Sequence, residues 1–365
     1  MNNIEICDLA VNLITTIADD LQDEIYKNLG GTLKVSWVEA ESFNAWAESP
    51  GNLDAPPEHK ICLHYALAIQ LYKDAEEFCD FATTELIDNP AIGFREMFGD
   101  APPLPEAFIQ EDCVRNMFIA ALTWVFFHEL GHLAQEHGII RNSFGSMPAT
   151  DFKIHEQEAM NNDQALTGKA SAISHITEMA ADFEATHFCT LELIRHFTNE
   201  EFVGKDFTGD EFIGSIFILI CGLSCIFHRF RGNRSEPPGA LPSGSHPHPS
   251  IRMEYYLPQL YEFLDQDFIR EHTRHTLNRG DLLRMSGQAA YSGTAFWYSR
   301  RTQQQSSFFD ILVKGLRNRP EAKQYFKLII DTWDEIEPTI KSNRRFGSPL
   351  GLMTFTDDFR KYVVS

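Results

Sequence analysis

The 365-residue sequence predicts a mainly α (α+β) fold, in which flanking helices surround a small mixed β-sheet. Three observations predict it. Apolar residues recur at helical spacing over most of the chain, whereas only two short runs have the alternation and β-branched residues of strands. The chain is 43% hydrophobic and 23% charged, which is the balance of a globular protein that can bury a core of useful size.

The elements are predicted in chain order. A helix over 4–29 should end at Gly30 and Gly31, and strands are expected over 32–38 and 59–65. Further helices are expected over 66–86, 111–138, 170–197, 212–230, 252–278 and 306–341. Segments rich in polar residues, proline or glycine predict loops over 49–57, 89–105 and 232–250, and an ordered loop or lid insertion over 141–169.

One apolar segment, 212–227, has no charged residue over sixteen positions. A bilayer span needs about 20 apolar residues. Because this segment is shorter and contains two glycines and two serines, we interpret it as a buried core helix. A membrane-associated protein anchored through the segment is the alternative.

Charge and cysteine usage restrict the partners and the compartment. The formal net charge of −21 argues against nucleic acid or anionic lipid as the main partner, because both would repel such a surface. The seven cysteines are scattered, without C-x-x-C spacing, which is typical of a reducing compartment. Since residues 1–13 carry no basic region, we expect a cytoplasmic protein without a secretory signal.

The chemistry is indicated by the H-E-x-x-H motif at His128, Glu129 and His132, on a strongly predicted helix. Residues four apart lie about 40° apart around a helix, so both imidazoles can reach one ion. Zinc accepts imidazole nitrogens and, in catalytic sites, keeps one position for water. Glu129, one residue further along, suits a general base acting on that water. Two surface histidines on an amphipathic helix are the alternative interpretation.

A third ligand is expected from the next helix. Glu178 and Asp182 are four residues apart and can face the first helix together. Glu178 would complete the ligand set, and Asp182 would accept a hydrogen bond from a zinc-bound histidine. The small side chains of 180, 181 and 185, all alanine, would let the two helices approach closely. His155 and His175 are competing third ligands.

These motifs, H-E-L-G-H followed by E-x-x-A-D, resemble those of the gluzincin metallopeptidases. Within them the chain looks most like the HtpX and CAAX-prenyl endopeptidase family, and it is also similar to ImmA/IrrE-type and Lit-type peptidases. The family's downstream His-Pro, with Arg six residues after the His, matches His246 and Arg252. The resemblance implies that His246 steadies the oxyanion and that Arg252 helps to build the site; His248 is a rival to His246. The family's usual multiple membrane spans are lacking.

The resemblance implies a zincin-like catalytic domain over 59–260, with a helical and strand extension over 1–58 and a helical region over 261–365. We expect a zinc metalloendopeptidase with a restricted protein substrate, whose backbone would lie along a sheet edge at 59–65. Analogy with the Lit and ImmA/IrrE types suggests a defence or stress role triggered by a regulatory protein partner. Alternatives are a non-catalytic, zinc-stabilised interaction module and a membrane-associated protease.

Overall fold

A computed structural model describes residues 1–145, 153–155, 166–199, 207–232, 239–302 and 319–364. Its strands are β1 (Thr32–Val38), β2 (Ala45–Glu48), β3 (Glu58–His64) and β4 (Lys153–His155). Its helices are α1 (Asn3–Leu21), α2 (Tyr65–Phe81), α3 (Phe94–Phe98), α4 (Gln110–Ala134), α5 (His137–Ser143), α6 (Gly168–Thr198), α7 (Gly209–Arg231), α8 (Pro249–Leu264), α9 (Asp267–Thr273), α10 (Arg279–Phe296), α11 (Pro320–Asn343) and α12 (Asp357–Val364). Short π-helical turns cover Gln22–Tyr26, Ala82–Leu86 and Trp297–Thr302. The described chain is thus mainly helical, as predicted.

The four strands form a mixed sheet in the order β1-β3-β2-β4. β1 runs parallel to β3, with Val35 opposite Ile61, and β2 runs antiparallel to both β3 and β4. The two predicted strands are confirmed to within a residue. The prediction that 59–65 forms a free sheet edge is wrong, because β1 and β2 occupy both sides of β3 and leave β1 and β4 at the described edges.

The C-terminal half of helix α4 is deeply buried. Every residue from Ala121 to Ala134 is buried, because apolar side chains occur all around this half of the helix. Helix α6 packs along it and joins two hydrophobic clusters. Its N-terminal half, including Ile176, packs with α11 and α12, and its C-terminal half, including Cys189, packs with the larger core.

Helix α7 contains the uncharged segment 212–227. It starts at a capping box in which the Thr208 hydroxyl accepts from the Glu211 N–H and the Glu211 carboxylate accepts from the Thr208 N–H. Two helices, α4 and α7, are long and apolar enough to cross a bilayer, and 83% and 89% of their most apolar windows are buried within the protein. This burial agrees with the predicted core helix, and Cys221 and Cys225 within it are buried free thiols; membrane association stays an alternative.

Several predicted boundaries are corrected. The helix predicted over 111–138 ends at Ala134, and Gly138 lies inside α5, because Glu136 adopts a left-handed conformation (φ 51°). The region 252–278 is divided into α8 and α9, and α10 was not predicted. The loop predicted over 141–169 contains the end of α5, β4 and the start of α6, whereas 146–152 and 156–165 lie outside the described residues.

Other predictions fall partly outside the described ranges. Residues 233–238 and 303–318 are not described. The start of the helix predicted over 306–341 therefore lies outside the described residues, and the described part of that helix is α11. Residues 239–248 contain no helix, as predicted. The domain boundaries at 58 and 260 stay predictions. Strand β1 pairs with β3 across the boundary at 58, and the larger core cluster includes residues on both sides of both boundaries.

Candidate metal centre

Helices α4 and α6 bring His128, His132 and Glu178 together at the centre of the protein. The Nε2 atoms of His128 and His132 lie 3.1 Å apart. Glu178 Oε2 lies 3.3 Å from Nε2 of His128, and Oε1 lies 3.4 Å from Nε2 of His132. All three side chains are buried, and their ligand atoms lie within 4.8 Å of one another.

This spacing fits a tetrahedral zinc ion. Bonds of about 2.0–2.1 Å at tetrahedral angles separate neighbouring ligand atoms by about 3.3 Å. The two imidazole nitrogens lie 3.1 Å apart, close to that value, and each is 3.3 or 3.4 Å from one of the two carboxylate oxygens of Glu178. Two imidazoles and a carboxylate are also a donor set that suits zinc. The residues therefore fit a metal ion with three protein ligands.

The helices can approach closely because small residues face each other. A Cβ atom added to Gly131 would lie 3.1 Å from both Cα and O of Ala181. The predicted role of the alanines on α6 is confirmed at this crossing.

No protein-family model, curated protein or solved structure matches the chain. The gluzincin resemblance therefore rests on the sequence motifs alone.

The Nδ1 atom of His128 contacts a carboxylate, which in turn binds an arginine. Asp182 Oδ1 lies 2.9 Å from His128 Nδ1. Arg252, from α8, donates to both oxygens of Asp182 at 2.6 and 2.9 Å, and its guanidinium lies 4.2 Å from the ring centroid of Phe227. The structure thus brings the predicted Asp182 and Arg252 to the ligand, where Asp182 can keep the Nδ1 proton in place and leave Nε2 free for a metal.

Glu178 has an arginine partner that the sequence did not indicate. Arg141, from α5, donates to Glu178 Oε1 at 2.5 Å and to Thr177 Oγ1 at 2.8 Å. Burial alone would raise the pKa of Glu178, but His246, His132 and Arg141 together hold it well below its usual value. The carboxylate is therefore ionised, which is the form that binds a metal.

The four other candidate histidines differ in position. His246 Nε2 lies 3.5 Å from Glu178 Oε2, and its Nδ1 is 2.8 Å from the Ser245 hydroxyl. His248 is buried at the start of α8, where its Nδ1 accepts from the Ser250 N–H at 3.1 Å. His246 therefore reaches the ligand group, whereas His248 caps a helix.

His175 lies one turn before Glu178, and its Nδ1 is 2.8 Å from the hydroxyl of Tyr325. Burial lowers the pKa of His175 to about 3, so the ring is neutral. It does not belong to the group of mutually close ligand atoms found among the described residues. His155 is in β4, and its side chain lies outside the described part of the structure.

Glu129 follows His128 in α4 and is fully buried, with 0% of its surface exposed. Its position one residue along the helix puts it beside the ligand pair and outside it. Sequence reasoning missed four buried or half-buried groups around the site: Arg141, His137, Glu184 and Arg344. His137 alone had a local signal, since it lies five residues after His132.

Proposed function

We propose that the chain is a zinc-dependent metalloendopeptidase that hydrolyses peptide bonds of a restricted protein substrate. The observation that carries the proposal is the buried group of His128, His132 and Glu178, whose ligand atoms lie close enough together to hold one ion, with Glu129 adjacent to His128 on the same helix. Fold similarity contributes nothing, so the proposal depends on this site.

The chemistry divides between the ion and the side chains. Zinc, when bound, would polarise the scissile carbonyl and lower the pKa of a water molecule. Glu129 would accept the proton from the attacking water and later deliver it to the leaving amine. His246 would donate a hydrogen bond to the developing oxyanion, and Asp182 would hold His128 in its tautomer.

Access to the site supports a restricted substrate. The side chains of His128 and Glu178 are 1% and 0% exposed, and that of His246 is 11% exposed. A substrate would therefore approach past His246. Since β3 is covered on both sides, we propose β4, next to β2, as the edge for the substrate backbone.

Such burial is also the reason for proposing a regulatory protein partner. A peptide bond can reach the ligands only if neighbouring segments move, and binding of a partner can favour that movement. A cytoplasmic location is proposed on the free cysteines of the described chain, and a defence or stress role on the resemblance of the motifs to those of the Lit and ImmA/IrrE types.

The test combines metal analysis with substrate discovery. Glu129→Gln should keep a stoichiometric amount of zinc while hydrolysis falls by about 10²–10⁴-fold, the usual contribution of a general base. New protein N-termini in a proteome treated with wild type should be absent with Glu129→Gln. Glu271→Gln makes the same chemical change at an exposed position and should behave as wild type.

Two outcomes would contradict the proposal. Equal cleavage by wild type and Glu129→Gln would remove the general base. Undiminished zinc in Glu178→Ala would remove the third ligand.

One observation favours a second candidate, a non-catalytic zinc centre in an interaction module. His246 Nε2 lies 3.5 Å from Glu178 Oε2, close to the separation of neighbouring ligands, so His246 is a candidate fourth ligand. In that case His246→Ala would lower zinc affinity, and wild type would produce no Glu129-dependent cleavage. The peptidase proposal expects His246→Ala to retain zinc and lose turnover.

A further inference from the structure

His132 is the first member of a buried chain of hydrogen bonds that continues away from the ligand group. Its Nδ1 lies 2.9 Å from Nδ1 of His137, whose Nε2 lies 3.1 Å from Oε1 of Gln135. Nε2 of Gln135 donates to Glu184 Oε1 at 2.9 Å. The relative exposure of Gln135, His137 and Glu184 is 0%. We name these three residues the Glu184 chain.

The far end of the Glu184 chain is an acceptor. Arg344 Nη2 donates to Glu184 Oε1 at 2.8 Å, and the backbone N–H of Ser348 donates to Oε2 at 2.7 Å. With the Gln135 amide, three donors converge on this carboxylate. Arg344 and Ser348 belong to the segment after α11, so this C-terminal segment contacts the Glu184 chain.

The direction of each hydrogen bond then follows from the acceptor. If the Gln135 amide nitrogen donates to Glu184, its oxygen accepts from the Nε2–H of His137. The Nδ1 of His137 is then unprotonated and accepts from the Nδ1–H of His132. The remaining lone pair of His132 is on Nε2, the atom that faces His128 and Glu178.

We infer that His137, oriented by Gln135 and Glu184, is a positioning residue that selects the metal-binding tautomer of His132. It does for His132 what Asp182 does for His128, with a neutral imidazole in place of a carboxylate. The inference rests on the metal site of the proposed function and is independent of peptidase activity.

Zinc affinity of the purified full-length protein, measured by competition with a chromophoric chelator, tests it. Partners of ligand histidines typically contribute 10–100-fold to metal affinity. His137→Phe, which fills the space without an acceptor, should weaken zinc binding by about that factor. His137→Asn retains an acceptor near the position of Nδ1 and should restore most of the affinity. His275→Phe is the control, since His275 is also buried, at 4% exposed, and bonds to the backbone oxygen of Leu264.

A spectroscopic measurement separates positioning from packing. In protein labelled with ¹⁵N-histidine, the Nδ1–H of His132 should give an exchange-protected proton signal in wild type and His137→Asn, and none in His137→Phe. Equal zinc affinity in His137→Phe and wild type, or equal losses in both His137 variants, would overturn the inference. If His137→Phe does not fold, loss of both the signal and the affinity in His137→Asn overturns it. Absence of zinc binding by wild type would instead contradict the proposed function.

Discussion

The buried Asp182–Arg252 pair makes a prediction about both stability and metal binding. Asp182 is 4% and Arg252 is 2% exposed, and two hydrogen bonds of 2.6 and 2.9 Å join them. Asp182→Asn keeps the shape of the side chain but removes its charge. The Arg252 guanidinium then loses the charge of the carboxylate that it binds, while it stays buried near Phe227 and Trp124.

The magnitudes follow from this burial. Removing one partner of a buried ion pair costs about 3–5 kcal/mol of unfolding free energy. The amide can present its NH₂ group to His128 Nδ1, which would favour the wrong tautomer, so zinc affinity should also fall by about 10–100-fold. Arg252→Met should cost a similar amount of stability but less zinc affinity, because Asp182 still accepts from His128.

Urea unfolding of the apoprotein measures the first effect, and chelator competition measures the second. The surface pair Asp334–Arg360 provides the control, since it is also joined by two hydrogen bonds, both of 2.7 Å, but has side chains that are 51% and 34% exposed. Asp334→Asn should cost under about 1 kcal/mol and leave zinc affinity unchanged. The reasoning is refuted if Asp182→Asn binds zinc as tightly as wild type, or if it costs no more stability than Asp334→Asn.

Two further predictions concern packing and pH. Gly131→Ala should lower the free energy of unfolding, measured in urea, by about 1 kcal/mol, because the new Cβ meets the backbone of Ala181 and overpacking outweighs the gain in helix propensity. Gly287→Ala is the control: its new Cβ enters open space and should raise the free energy of unfolding by up to about 1 kcal/mol. An equal gain in both variants would contradict the argument. Burial lowers the pKa of His228 from 6.5 to about 3. Below pH 6.5 the unfolded state therefore binds a proton that the folded state does not, and the free energy of unfolding decreases as the pH is lowered. The stability of wild type relative to His228→Phe should therefore decrease by up to about 1.4 kcal/mol for each unit by which the pH is lowered in this range; a pH-independent difference would show that His228 does not contribute.

The parts of the fold that sequence analysis predicted correctly are those set by local periodicity. The strand at 32–38 and the core helix containing 212–227 each repeat one pattern over many residues, so neighbouring positions support the same conclusion. His128, His132, Glu178 and Asp182 belong to the same class, because two pairs at helical spacing must face one way.

Short elements and helix breaks were missed for a physical reason. β2 and β4 have four and three residues, too few for alternation to be recognised. The break between α4 and α5 occurs at Glu136, whose backbone is left-handed and whose carboxylate accepts hydrogen bonds from Ser49, at 2.7 Å, and Arg345, at 2.9 Å. Both partners are distant in sequence, so no local pattern could predict the break.

The same reasoning explains why the surroundings of the site needed a structure. Helix α6 carries three carboxylates that reach α4: Glu178 at the ligand group, Asp182 behind His128, and Glu184 at the end of the chain behind His132. Each carboxylate meets an arginine from a different part of the sequence, and those arginines have no fixed spacing. Because all three carboxylates belong to one rigid helix, a shift of α6 along α4 would change every ligand and every supporting contact together. The affinity for metal should therefore depend on the C-terminal segment that holds Glu184 as well as on the H-E-x-x-H motif.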